Sequence, residues 1–317
     1  MKNIIVAVLA GIFLTAAPVA AAPVEFSGSA SVKYEVVNKP DTPLEPNTMY
    51  TITLRGEKKI APGLSVFARL GMQQVNQPGF SDSDYNLAAY NADTRFVAAI
   101  DQYGLIYKKN NWAFKLGRQD IGIGVTTLLY NRSETNIGKD AFVEGLALTG
   151  NMGALDISAI FAKENSLWTP NNRLFAIRGG VNLSKNAGMG VTLAQYQYYE
   201  GDTTQHWAID GSVKSGKHKL TAEYTQSNKS SENMAYALIW SYGFNDRTTF
   251  YLTNFRVEAN GDMGAQSEYN NNNRGFHYGI THSFSDALSL EIIYKDQYGL
   301  TDNAKNTKFE TTLRHTF

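Results

Sequence analysis

Beyond its first segment, this chain is a succession of short stretches in which apolar and polar side chains alternate, and none is a long enough apolar run to cross a bilayer as a helix. The alternating stretches fall at 24–37, 49–60, 64–76, 96–109, 112–121, 141–150, 155–165, 173–185, 189–200, 206–215, 219–227, 233–244, 248–259, 274–285, 288–299 and 307–317. Each is near the ten or so residues that a tilted strand needs to span a bilayer, and there are about sixteen of them. The connections alternate too. Short turns such as Ala61-Pro62-Gly63, Lys109-Asn110-Asn111, Asn186-Ala187-Gly188 and Asn245-Asp246-Arg247 take turns with longer polar loops such as KPDTPLEPNT, PGFSDSDYNLAAYNADTR and NGDMGAQSEYNNNN. One rim of the fold is therefore trimmed and the other elaborated. A soluble sandwich has no reason to keep that asymmetry, whereas an outer-membrane barrel does, with turns on the periplasmic side and loops outside.

The two faces of each strand support the same reading. Tyr50, Ile52 and Leu54 oppose Thr51, Thr53 and Arg55; Phe276, Tyr278, Ile280 and Phe284 oppose His277, Thr281 and Ser283. Aromatic residues gather towards strand ends, as interfacial girdles require, so the apolar faces are assigned to lipid and the polar ones to a lumen. The phase changes near Asp101-Gln102 and between Gln195 and Tyr199, which predicts a bulge in each of those strands. The chain ends in TKFETTLRHTF, with Phe309, Leu313 and Phe317 on one face, as suits a last strand that pairs with the first and removes the open edge.

The opening segment, MKNIIVAVLAGIFLTAAPVAAAP, has the layout of a secretory signal peptide, with small residues at Val19-Ala20-Ala21 predicting cleavage after Ala21. Residues 22–317 then form the barrel domain. The chain has no cysteine, so disulfide scaffolds and thiolate metal sites are excluded, and its 29 basic residues balance 29 acidic ones, which offers no field for nucleic acid.

The signal peptide, the sixteen-strand layout, the FKLGRQD strand followed by a long loop and the terminal Phe together resemble the Gram-negative general porin family, over essentially the whole mature chain. The resemblance implies a homotrimeric, water-filled channel in the outer membrane, set in membrane lipid and lipopolysaccharide, whose third external loop folds into the lumen. It would pass small hydrophilic solutes and ions by diffusion. By position, Lys33, Arg55, Arg69 and Arg118 match the family's basic ladder; the 121–140 loop contains Arg132, Glu134, Lys139 and Asp140, of which Glu134 and Asp140 would oppose that ladder, with Asp120 at the strand–loop junction as a further candidate. The parity of the strands places Lys33, Arg55, Arg69, Asp210, Glu223, Glu291, Lys295 and Arg314 in the lumen independently, with Arg178 and Arg256 as further candidates.

Arg118 poses a separate problem. In WAFKLGRQD it shares a face with Trp112, Phe114 and Leu116, so an unbroken strand would aim it at lipid. Gly117 can adopt backbone angles that interrupt the alternation, and the sequence reading is that Arg118 turns inward there.

Alternative functions are a sugar- or anion-selective porin, with Tyr103, Tyr107, Tyr196 and Tyr198 as a candidate aromatic track, and a plugged barrel acting as an adhesin through its second and seventh loops. An enzyme is not expected: His282 and Ser283 are adjacent on a strand and so point oppositely. Gly122-Ile123-Gly124 lacks the third glycine and helix of a phosphate loop. Asp82-Ser83-Asp84 is read as a solvated loop, and no cofactor or metal is implied.

Overall fold

The computed structural model describes residues 23–40, 44–76, 96–133, 137, 142–165 and 170–317. The signal segment, Asp82-Ser83-Asp84, Glu134, Lys139 and Asp140 lie outside the described residues.

Among the described residues there are eighteen strands: β1 (Glu25–Asn38), β2 (Glu45–Ala61), β3 (Leu64–Val75), β4 (Phe96–Lys109), β5 (Trp112–Gln119), β6 (Ile121–Ile123), β7 (Tyr130–Arg132), β8 (Val143–Met152), β9 (Leu155–Asn165), β10 (Pro170–Ser184), β11 (Ala187–Gln197), β12 (Thr203–Ser215), β13 (His218–Ser227), β14 (Met234–Asn245), β15 (Thr248–Val257), β16 (Asn273–Ser283), β17 (Leu288–Gly299) and β18 (Lys305–Thr316). All but β6 and β7 join one closed antiparallel barrel of sixteen strands, in which each pairs with its neighbours in the chain and β1 pairs with β18. The terminal residue completes the closure: Gly28 N–H donates to the Phe317 carbonyl at 2.8 Å, and Phe317 N–H returns a bond at 3.1 Å. No described barrel strand is left with an open edge, which is what allows a sheet to sit in hydrocarbon.

Alternation maps onto the two sides of this wall. Tyr50, Ile52, Phe161, Phe175, Leu193, Ile209, Phe276, Tyr278, Tyr294 and Phe309 stay exposed on the outward side. Their chain neighbours Thr51, Ala162, Ala176, Ala194, Ala208, His277 and Glu310 are buried or turned inward. Apolar out and polar or small in inverts the arrangement of a water-soluble protein.

The alternation slips once in β4. Arg69 faces Gln102 while Leu70 faces Ile100, so Asp101 is the extra residue of a bulge, where the phase change of the sequence placed one. The second expected slip is absent. β11 keeps continuous register with β12 from Ala187 to Gln197, and its pairing with β10 shifts only at Asn182/Ser184. Tyr196 therefore points inward and Gln195 outward by ordinary alternation.

Candidate pore site

The segment after β5 is not a surface loop. Thr126 donates to Glu223 Oε2 on β13 through its backbone N–H at 2.8 Å and its hydroxyl at 2.7 Å. Ile123, Leu129 and Tyr130 join a buried cluster with Val143, Ile160, Ala162, Leu174, Ala176, Ala194, Tyr196 and Ala208, contributed by five successive strands from β8 to β12. Leu128 joins Ala235, Ala237, Phe255 and Val257 of β14 and β15. A short segment that packs on so many neighbouring strands of a closed barrel can only lie against its inner wall. The alanines make room for it, because larger side chains at those inward positions would occupy the same volume. Gly124 makes room as well. Its φ is +94°, and a Cβ there would overlap Glu223 Oε1.

Arg132 and Glu164 latch this segment to the wall. Both side chains are nearly inaccessible, at 2% and 1% exposure, with Nη2 of the arginine 3.5 Å from Oε1 of the glutamate. Glu164 also accepts the hydroxyls of Tyr130 at 2.7 Å and Tyr196 at 2.8 Å, and Asn172 Nδ2 at 3.1 Å. Burial, and then the neighbouring Glu164 charge, raise the Tyr130 hydroxyl well above the usual tyrosine range, so it remains a donor. Arg132 is thus a buried anchor, not a charge open to the lumen.

The segment between β15 and β16 also turns inward, which overturns its reading as part of an adhesive surface. Met263 N–H donates to the Leu129 carbonyl at 2.9 Å, Asn131 N–H to the Gln266 carbonyl at 2.6 Å, and Glu268 N–H to the Thr127 carbonyl at 3.2 Å. Met263 and Tyr269, two large apolar residues in an otherwise polar loop, sit in the two clusters just described. They were the available sequence signal for this fold-back.

Asp262, at the base of that segment, is buried and accepts from Ser267 N–H at 3.1 Å and Asn271 Nδ2 at 2.7 Å. Burial pushes its carboxyl up to about 6 despite those hydrogen bonds. The folded-back state therefore holds the proton more tightly than the released one. Its extra stability is fully present below the ordinary aspartate range and lost as pH rises through about 6, a swing of about 3 kcal/mol. Amide exchange in residues 258–272, corrected for intrinsic rates, is expected to be slower at pH 4.5 than at pH 7.5. The difference should vanish in Asp262→Asn; equal protection at both pH values would contradict this.

The expected basic ladder is split. Lys33, Arg55 and Arg69 all face inward, and Arg55 lies directly opposite Arg69. However, Arg55 pairs in register with Ser27, six residues from Lys33, or about 20 Å along the strand. Arg55 stacks 4.2 Å from the Phe67 ring and pairs with Glu57 at 3.2 Å. Lys115, 5.4 Å from the same ring, holds Asp120 at 2.7 Å. Arg69 grips both carboxylate oxygens of Asp101, each at 2.8 Å, and lies 4.8 Å from the Phe142 ring. Lys33 belongs elsewhere: with Lys295 and Lys308 it surrounds Glu310, at 3.2, 3.1 and 2.6 Å, and Lys308 also reaches Glu35 at 2.7 Å.

Arg118 does not turn inward. The registers of β5 with β4 and β8 run unbroken through Gly117, whose φ is +132°. Arg118 therefore stays in the outward file of Leu116, opposite Tyr103 and Glu144. The extra residue that resets the phase is in β4, at Asp101, and the arginine is covered where it stands. Its Nε donates to the Asp101 carbonyl at 3.0 Å and Nη1 approaches Glu144 at 3.5 Å, leaving it 4% exposed. Arg256 is likewise outward, in register with Tyr236 and Arg274 and bonded to Glu258 at 2.9 Å. Arg178 is inward, as expected, and clamps Asp210 at 2.8 and 2.6 Å. No tyrosine track forms: Tyr103 and Tyr107 are on the outward face, while Tyr196 is buried under the inner segment.

Among the described residues, a space of about 1000 Å³ lies along β1, β2 and β16–β18, bordered on its other side by Asn131, Ser133 and the 265–271 stretch. Its wall carries Lys33, Lys295, Lys308, Arg314, Glu291 and Glu310. A closed sixteen-strand barrel with an apolar exterior and a charged interior space has the construction of an aqueous channel. The sequence profile of the Gram-negative porin family matches residues 6–303. The chain belongs to that family.

Solved structures agree on the fold. Two variants of the Rhodopseudomonas blastica porin superpose with TM-scores of 0.61 and 0.60, at 12% and 11% identity, each match covering 92% of this chain and 100% of the other. A search of curated proteins finds no match. The porin is an outer-membrane channel protein, surrounded by membrane and passing small solutes.

Proposed function

We propose that solutes cross this porin by passive diffusion, through a passage narrowed by the 121–140 segment to the space beside β1, β2 and β16–β18. The carrying observation is the coexistence of that charged space with an inner segment packed against the opposite wall. A lumen lined by Lys33, Lys295, Lys308, Thr312 and Arg314 solvates ions and hydroxylated solutes, and the packed segment sets the size limit. Purified protein in planar bilayers should give stepwise conductance, and folded protein that repeatedly gives none would exclude a diffusion channel. Liposome swelling with sugars separates this reading from a plugged barrel, which passes none. Lys33, Arg55, Arg69 and Asp120 retain their proposed place in the lumen's electrostatics. Arg118 acts from the outer side of the wall and Arg132 through anchoring. The roles of Glu134 and Asp140 rest on the family resemblance alone.

The same reading makes the assembly a homotrimer among membrane lipid and lipopolysaccharide, exported with cleavage after Ala21. The mass of the detergent-solubilised protein and the N-terminal sequence of the mature chain test these two points.

A further inference from the structure

The β15–β16 segment lines the open space through Ala265, Ser267, Glu268 and Asn270, while its other side is bonded to residues 127–131. Three backbone hydrogen bonds and the bond from Asn131 Nδ2 to Glu268 join the two inner segments into one body. Met263 and Tyr269 seat that body on the β8–β15 wall. Glu268 is exposed within the space, whose facing wall is basic on balance, with Lys33, Lys39, Lys295, Lys308 and Arg314 against Glu291 and Glu310.

We propose that residues 258–272 are a second constriction element, with Glu268 as an acidic pole opposite that basic wall. The inference rests on the porin reading and deepens it. The field runs across the passage between two parts of the chain distant in sequence, so a small charged solute passes with its anionic end towards β17 and β18. In a water-filled passage one such charge biases the ion ratio without excluding either sign.

The chain has no cysteine, so a single introduced thiol is uniquely reactive. Ala265→Cys suits the purpose, because Ala265 is exposed to the passage and already holds φ at +58° without glycine. Conductance steps from the unlabelled variant establish both folding and the pore. Stoichiometric labelling with a bulky neutral thiol reagent should then cut single-channel conductance by about half, since it adds volume at the proposed constriction. Labelled channels that conduct as before overturn the proposal. Glu268→Gln should move the reversal potential in a potassium chloride gradient towards the anion value. Glu232→Gln, in the β13–β14 connection, should leave it in place. An unmoved potential in Glu268→Gln overturns the assignment of the acidic pole. Failure of the porin reading itself would look different, as an unmodified protein without conductance steps.

Discussion

Replacing Glu164 by alanine is expected to release the inner segment from the wall and leave a channel that is wider, noisier and less stable. The substitution removes the acceptor of Tyr130, Tyr196 and Asn172 and the carboxylate that neutralises Arg132. Arg132 is 2% exposed and cannot lose its proton, so the folded-in state would hold a buried cation without that counter-charge. Breaking a buried pair from one side costs about 3–5 kcal/mol, more than a typical surface ion pair by several fold. The barrel has another way out, because β6, β7 and their turn can leave the wall without unpairing a barrel strand. The expected result is therefore larger, fluctuating single-channel steps with a modest fall in the unfolding midpoint, not loss of the barrel. Glu164→Gln keeps the shape and one acceptor oxygen and should fall between. Pairing Glu164→Leu with Arg132→Met should recover part of the loss, with a coupling of about 1–3 kcal/mol in the double-mutant cycle. Wild-type conductance and stability in Glu164→Ala would show that this network does not hold the segment.

That network also marks the limit of what could be read from the chain alone. The strands were legible, with β4, β9 and β17 matching their expected bounds, because a wall with lipid outside and water inside forces a period of two that no soluble context dilutes. Facing was legible for the same reason: Lys33, Arg55 and Arg69 point where parity puts them. Register was not, because alternation fixes a strand's position only modulo two residues. Lys33 consequently stands with Lys295 and Lys308, far from Arg55. The bonds that fold the inner segments back span 97 residues from Thr126 to Glu223 and 137 from Asn131 to Glu268. No local pattern encodes contacts of that separation. Arg118 was misjudged for a more instructive reason. Gly117 has the permissive backbone expected of it, but a glycine only allows a change of phase, and an extra residue is needed to produce one.

Deleting residues 123–139 should raise conductance by at least about twofold, since a sixteen-strand barrel freed of its inner segment encloses a wide aqueous lumen. The wall does not depend on the deleted stretch for its hydrogen bonds, because β5 pairs directly with β8 from Trp112 to Gln119. The deletion does uncover the inward alanines of β9–β12 and takes the carbonyls of Thr127 and Leu129 from the β15–β16 segment. That segment should therefore loosen as well, and the increase should exceed what the volume of the missing residues alone would produce. Comparing this deletion with one of 260–269 separates the two contributions. Removing the second segment alone should raise conductance less, because Arg132, Thr126 and Tyr130 still tether the first to Glu164 and Glu223. If the first deletion folds and conducts like the wild type, the open path does not run past this segment.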